Sequence, residues 1–457
     1  MKNRFKKENI CGTCVDLSSE GKGIIKKEDK IIFVEGLFVG EEAEVELQYK
    51  RAQVYYGKIK KLIKLSPFRV QPKCKVCTAC GGCQFQQLSY QEQLKYKKHK
   101  VEEALLRIGH LKVKVNDCIG MDSPYNYRNK IQVPFGYDKR GQIVYGFYRE
   151  NSHEIIPIES CEIEDLRSKN ILKSIKELMP KYNLKPYDED RLSGDLRHVL
   201  IRTSYYKKEV MVVLVMTNEL FPGRNNFAKD LLKKCPEITT IVLNVNKRKT
   251  DVILGEKEIV LCGSGFIIDK LCDLSFRISP KSFYQINPTQ CEKLYHLAIE
   301  SAKITKNDTV LDAYCGIGTI GLVASKAANK VVGVEIVKEA IIDAKNNAKA
   351  NKINNVDFVC DNASKYMLNL ASKKQHIDVV LMDPPRKGSD DIFLNSLMTL
   401  SPSRVVYVSC NPSTLARDLE ILSKDYKILN VQPVDMFPFT AHVETVVLME
   451  KRYTSDK

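Results

Sequence analysis

From about residue 277 onward the chain repeats a single unit: a short apolar run, a turn rich in glycine or proline, and then a helical pattern. The units are "TVLDAYCGIGTIGLVASKAA", "KVVGVEIVKEAIIDAKNNAKAN", "VDFVCDNASKYMLNL", "IDVVLMDPPRKGSDDIFLNSL" and "RVVYVSCNPSTLARDLEIL", and a last strand pair closes the series. Strands that alternate with helices pair in parallel through crossovers, because a tight hairpin cannot join parallel neighbours. This part of the chain is therefore expected to form an α/β doubly wound, mostly parallel sheet. Such sheets present their reactive groups at the C-terminal lips of the strands.

The preceding part lacks this period. Up to about residue 65, short alternating runs such as "KGIIKKEDKIIFVEGLFVGEEAEVELQYK" are separated by glycine and charged turns. Short strands of this kind close into a small barrel; such barrels often bind oligonucleotides, and one without a ligand fits the pattern equally. "KLSPFRVQPK" links this segment to a run of cysteines, after which "YQEQLKYKKHKVEEALLRIG" reads as one charged helix with Leu94, Val101, Ala104 and Leu105 on its apolar side. From "YRNKIQVPFGYDKRGQIVYGFYRE" to "EITTIVLNVNK" period-2 alternation predominates, which predicts a separate antiparallel layer. The expected division is a β-barrel over residues 1–65, a central α+β domain over 66–91 and 126–276, and the α/β domain over 92–125 and 277–457.

The chain's 457 residues suffice for two to four domains, and its 44% apolar and 28% charged content is that of a globular protein. There is no run of about eighteen apolar residues to cross a membrane, and the N-terminus has no apolar core of the signal-peptide type, so a cytoplasmic location is expected. A net charge of +16 attracts phosphate polyanions through counterion release, which is compatible with nucleic acid as partner without requiring it.

Gly316, Gly318 and Gly321 in "YCGIGTIG" form a G-x-G-x-x-G turn directly after a strand, and Glu335 ends the next strand where a carboxylate can bind ribose hydroxyls. Taken alone, this fits NAD or S-adenosylmethionine. Asp383-Pro384-Pro385 at the tip of the fourth strand resembles the (D/N)PP element of S-adenosylmethionine-dependent methyltransferases, and the glycine loop resembles their first motif. In amino-group methyltransferases that element usually ends in an aromatic residue; here Arg386 follows, which implies different chemistry at the methyl acceptor.

Cys410 stands where the strand "RVVYVS" breaks and a helix begins. A thiol at that lip has a use if the acceptor is C5 of a uracil. That carbon is a poor nucleophile, but adding a thiolate at C6 makes an enolate whose C5 can attack a methyl sulfonium. A base must then remove the C5 proton so that the thiolate can leave. "DMFPFTAHVETVVLMEK" offers His442 and Glu444 for that task.

"FYQINPTQ", "DAYCGIGTIG", "DPPRKG", "SCNPSTLARDL" and "DMFPFTAHVE" occur in this order and resemble the RNA (uracil-5-)-methyltransferase family over nearly the whole chain. The resemblance implies a C-terminal Rossmann-like, seven-stranded methyltransferase domain with Cys410 as the nucleophile and Glu444 as the base. It places Gln285, Tyr314, Glu335 and Asp383, beside Gly316 and Gly318, on S-adenosylmethionine. It also implies that the N-terminal barrel is an RNA-binding TRAM module. The nearest branch acts on 23S ribosomal RNA, and a monomer is expected. A nucleotide within a stem must be flipped out to meet a thiol, so an RNA loop or remodelled stem is the natural substrate.

"CKVCTACGGC" holds Cys74, Cys77, Cys80 and Cys83. Such continuous close spacing suits iron and sulfide better than zinc, which favours two knuckles with a longer loop between them; a 4Fe-4S cluster is expected. The ribosomal RNA branch resembles C-x5-C-x2-C with a distant fourth cysteine. By that resemblance Cys74, Cys80, Cys83 and Cys161 are the ligands, while the local alternative uses all four clustered thiols. Two other readings of the chain remain: a transfer RNA uracil-5 methyltransferase, and a non-catalytic RNA-binding assembly factor.

Overall fold

A computed structural model describes residues 8–149, 152–249 and 252–452. Strands β1 (Asn9–Leu17), β2 (Gly23–Lys27), β3 (Lys30–Val34), β4 (Glu42–Arg51) and β5 (Val54–Lys64) close into a barrel in the order β1-β2-β3-β5-β4. Its alternating inward positions fill the interior with Ile25, Ile32, Val34, Ala43, Val45 and Leu47, and Cys14 joins them. Cys11 faces out, so the C-x-x-C pair is split between core and surface. The linker is pinned back onto the barrel by the buried Glu41, whose carboxylate accepts from Arg69 Nε at 2.6 Å and Nη2 at 2.7 Å, and from the Phe38 and Ser66 amides.

The cysteine segment contains one helical turn, α1 (Cys77–Cys80), and leads into α2 (Tyr90–Arg107). Val101, Ala104 and Leu105 of α2 are buried, as the spacing predicts. So are Gln93, which donates to the nearby Phe85 and Leu88 carbonyls and accepts from the distant Phe439 N–H, and Lys97, which pairs with Asp435 far along the chain.

The central sheet contains β6 (Lys130–Tyr137), β7 (Ile143–Tyr148), β8 (Ile155–Pro157), β9 (Leu196–Thr203), β10 (Val210–Met216), β11 (Thr240–Val245) and β12 (Lys257–Cys262), in the order β12-β11-β10-β9-β6-β7-β8. Two expectations for it need correcting. Strands β10 and β11 pair in parallel, because after α3 (Arg167–Leu178) the chain crosses over through α4 (Arg224–Lys234) between them. Nor is the layer separate. One face packs on α3 and α4, while Leu200, Met211, Val213, Val215 and Val242 on the other share a core with the C-terminal half. That double burial explains why "VMVVLVM" carries no polar alternation.

A hairpin of β13 (Ile267–Leu271) and β14 (Leu274–Ile278) precedes the C-terminal sheet. The chain then runs α5 (Pro288–Ala302), β15 (Thr309–Ala313), α6 (Thr319–Ser325), β16 (Lys330–Glu335), α7 (Lys338–Ala350), β17 (Val356–Cys360), α8 (Ala363–Ser372), β18 (Val379–Met382), α9 (Asp391–Leu400), β19 (Arg404–Ser409), α10 (Pro412–Leu422), β20 (Tyr426–Val434) and β21 (Glu444–Lys451). The seven strands lie in the order β17-β16-β15-β18-β19-β21-β20, with β21 antiparallel to both its neighbours. The apolar side of α2 shares a core with Leu415, Ala416 and Leu419 of α10 and with Val431 of β20, so a helix from the N-terminal half covers this sheet. Among the described residues, no helix is long and apolar enough to cross a membrane.

Candidate active site

Five parallel strands end at one edge of the C-terminal sheet, and each is followed by a residue that faces a common cavity of about 930 Å³. Tyr314 follows β15, Glu335 ends β16, Asn362 lies just beyond β17, Asp383 follows β18, and Cys410 follows β19. Because β21 runs the other way, its first residue, Glu444, reaches the same edge. Gln285, from the segment before α5, and Gly316 line the cavity too. Gly318 does not line the cavity. Its φ of +81° opens α6, and a Cβ there would come within 2.7 Å of the Phe358 ring.

The glycine turn shows why the sequence needs small residues here. Gly316 has φ +55° and nothing within 4 Å of a Cβ position, so its backbone borders open space. Its N–H donates to Glu335 Oε2 at 3.1 Å, and the Val337 N–H donates to Oε1 at 3.0 Å. These bonds hold the carboxylate at the cavity wall with lone pairs still available to hydroxyl groups. Tyr314 adopts φ +68°, a costly conformation for a bulky side chain, and its ring lies 5.4 Å from that of Phe393. At the mouth, Phe283 and Ile336 leave 70% and 63% of their surfaces exposed. Apolar groups so exposed beside a cavity suit a flat, partly apolar ligand.

Just after Cys410, Asn411 caps α10: its Oδ1 accepts from the Ser413 amide at 3.1 Å, and Pro412 occupies the first turn. Asn411 Nδ2 also donates to the Arg386 carbonyl at 3.0 Å, tying the Asp-Pro-Pro-Arg turn to the loop that carries Cys410. Burial pushes the Glu444 carboxyl up to about 8, with the Asp383 charge adding to it. Burial likewise pushes Asp383 up to about 7. The Cys410 thiol is pushed up to about 11 by burial and by the charges of Glu444 and Asp383, with Arg386 opposing. A cation entering this cavity would lower all three, since it favours the charged form of each.

Arg386 also borders a second cleft of about 460 Å³, formed by the barrel, the cysteine segment, Lys100 of α2, and His442. His442 lies in this cleft and not in the first. Burial and the cations Arg386, Lys100 and Lys97 push its imidazole down to about 4.

All the cysteines of the predicted cluster site are free thiols, and they lie in one neighbourhood. Burial raises Cys80, with the charge of Cys74 adding to it. Cys83 is pushed up to about 12 by burial, with Cys80 and Cys74 adding to it. Cys161 is raised by burial, then by Glu164, Cys83 and Cys74. Cys77 feels Cys74 and Cys80 and borders the second cleft. Among the described residues, no group of three or more His, Cys, Asp or Glu side chains is arranged to hold a metal ion.

Several lining residues escaped the sequence reading. Phe283 and Phe437 lie inside the stretches "FYQINPTQ" and "DMFPFTAHVE" without having been assigned a role there, and Ile336 and Ser364 lie in no motif. The position of Asn362 just after β17 could have identified it, by the same rule that singled out Cys410.

The family model for tRNA (Uracil-5-)-methyltransferase matches residues 89–452. An RNA methyltransferase of Clostridium tetani is 44% identical over 442 residues, covering 96% of this chain and 95% of its own. One from Staphylococcus aureus is 43% identical over 438 residues, covering 96% and 97%. The solved structure of the Pyrococcus abyssi tRNA (uracil-54, C5)-methyltransferase, in complex with S-adenosyl-L-homocysteine, is 28% identical and superposes with a TM-score of 0.77 over 96% of this chain and 99% of that one. With the family model spanning most of the chain, and a sheet whose C-terminal edge gathers one cavity, this protein belongs to the RNA (uracil-5-)-methyltransferase family and is an S-adenosylmethionine-dependent RNA methyltransferase.

Proposed function

We propose that the protein methylates C5 of a uridine in 23S ribosomal RNA. The observation that carries this reading is that Cys410 and Glu444 open into the same cavity as Gly316, Glu335 and Asp383. S-adenosylmethionine supplies an electrophilic methyl group on a cationic sulfur. Glu335 and the Gly316 backbone would hold its ribose, and Tyr314, Gln285 and Asp383, which line the same cavity, would border it. The Cys410 thiol loses its proton to solvent and its sulfur adds to C6 of the flipped-out uracil; C5 then takes the methyl group as the methyl–sulfonium bond breaks and the cofactor sulfur leaves as a neutral thioether. Glu444 then removes the proton from C5, the C5–C6 double bond re-forms, and the C6–S bond breaks to release the thiolate. His442 is the weaker candidate for this step, because it borders the other cleft.

Cys74, Cys80, Cys83 and Cys161 would hold a 4Fe-4S cluster, a reading supported by the charges that Cys74, Cys80 and Cys83 exert on one another and on Cys161. Bound there, it would tie the cysteine segment to Cys161, beside the small core that Phe439 of the connection before β21 joins. The barrel, read as a TRAM module, offers RNA the ring pair Tyr49 and Tyr56, stacked at 4.7 Å, and the exposed lysines of β5. Residues 92–125 and 277–457 act as the catalytic unit. Transfer RNA is the second reading, favoured by the substrate of the Pyrococcus abyssi enzyme.

The test is methyl transfer from labelled S-adenosylmethionine to unmodified transcripts of 23S ribosomal RNA and of transfer RNA. Incorporation into the ribosomal transcript at a uridine supports the proposal. Incorporation into transfer RNA alone moves the protein to the second reading.

A further inference from the structure

The nine residues that connect β20 to β21, 435–443, make no regular structure, yet six of them hydrogen-bond to groups outside the connection. Asp435 pairs with the buried Lys97 and accepts from Tyr90 Oη at 2.8 Å. The Met436 carbonyl accepts from Asn287 Nδ2 at 3.1 Å, and the Pro438 carbonyl from Tyr127 Oη at 3.1 Å. The Ala441 carbonyl accepts from Lys100 Nζ at 2.7 Å.

At the centre of this connection Phe439 takes φ +65°, a left-handed conformation rare for a bulky residue and sustained only where the surroundings impose it. Its N–H donates to Gln93 Oε1 at 3.0 Å, and its carbonyl accepts from the Phe85 N–H at 2.9 Å. Its ring forms a small core with Tyr127 and Ile163, and Cys83 and Cys161 pack against that core. Tyr125 lies across it with ring centroids 4.9 Å apart. Two residues before Phe439, Phe437 lines the catalytic cavity; five residues after it stands Glu444.

We propose that Phe439 is a positioning residue through which the cysteine site sets the place of Glu444. The inference rests on the uracil C5 mechanism proposed above. Phe439 touches neither cavity, so it acts only through the connection it anchors. Its loss leaves Cys410, Asp383 and the glycine turn where they are. Glu444 is then displaced, and the steps divide: addition of Cys410 and methyl transfer proceed, while removal of the C5 proton slows, so the enzyme stalls bound to methylated RNA.

The experiment compares the full-length wild type with Phe439→Ala, Phe439→Leu and Phe439→Tyr, using whichever unmodified transcript, 23S ribosomal or transfer RNA, the wild type methylates. Methyl incorporation, the protein–RNA adduct on denaturing gels, S-adenosylmethionine binding and iron content are read together. Phe439→Ala is expected to incorporate about one methyl per enzyme and to hold at least tenfold more adduct than the wild type, with cofactor affinity within about twofold. Phe439→Tyr restores turnover. Phe439→Leu, a smaller change, gives the same pattern more weakly if the alanine variant does not fold. Adduct and methyl incorporation falling together would show a merely structural role and overturn the inference, as would wild-type turnover in the alanine and leucine variants. A wild type that forms neither product nor adduct would overturn the uracil C5 reading itself.

Discussion

Cys410 was legible because a thiol between an apolar strand and a proline-started helix has little structural reason to be there. Its companion Glu444 was not legible from spacing; only the antiparallel course of β21 brings it to the same edge, and the sequence shows that course only through family resemblance. With Cys410→Ala, cofactor binding should persist within about twofold while methyl transfer falls at least about a thousand-fold, the scale of losing a covalent nucleophile. Glu444→Gln should instead accumulate a covalent adduct, seen as a shifted band on a denaturing gel. Glu444 also makes a prediction about stability. Its folded-state carboxyl is raised to about 8 by burial, so the native state keeps a proton that the unfolded chain has lost. The contribution is fully present below an ordinary glutamate's range and disappears as pH rises toward 8. Thermal melting of the wild type should therefore fall relative to Glu444→Gln between pH 5 and pH 8; a constant gap would place the carboxylate in a solvated setting.

Among the elements, α2 shows where pattern reading ran out. Its apolar stripe was readable, but buried Lys97 looks like a surface residue in sequence, since its partner Asp435 is about 340 positions away, and the Phe439 N–H that Gln93 accepts from is as distant. The same blindness affected the central sheet, where alternation suggested a free-standing layer. Continuous burial of β9, β10 and β11 reflects two covered faces, and the second face belongs to a different part of the chain. Lys97→Met leaves Asp435 buried without its cation and should cost about 3–5 kcal/mol in denaturant unfolding. Adding Asp435→Leu should recover much of that loss. If the double variant is no better than the single one, the pair contributes nothing beyond packing.

Across the whole molecule, the seven strands of the α/β sheet were what the family resemblance implied, while the sheet itself and the N-terminal barrel followed from periodicity. The way they meet did not: the barrel, cysteine segment, α2 and the connection before β21 converge on one cleft beside the catalytic cavity. The cysteine reading belongs at this scale, since Cys161 comes from the central region and Cys74, Cys80 and Cys83 from the segment before α2. Anaerobically purified Cys161→Ala should lose iron and the cluster's visible absorption, while Cys77→Ala keeps both; the reverse result would make the ligand set local. The central claim is that a uridine C5–H is exchanged for C5–methyl through Cys410. It is tested most directly by tritium release from unmodified 23S ribosomal RNA labelled at uracil C5, with methyl incorporation measured in the same reaction. One tritium released per methyl incorporated, both abolished in Cys410→Ala, is the predicted result; methyl incorporation without tritium release would contradict it.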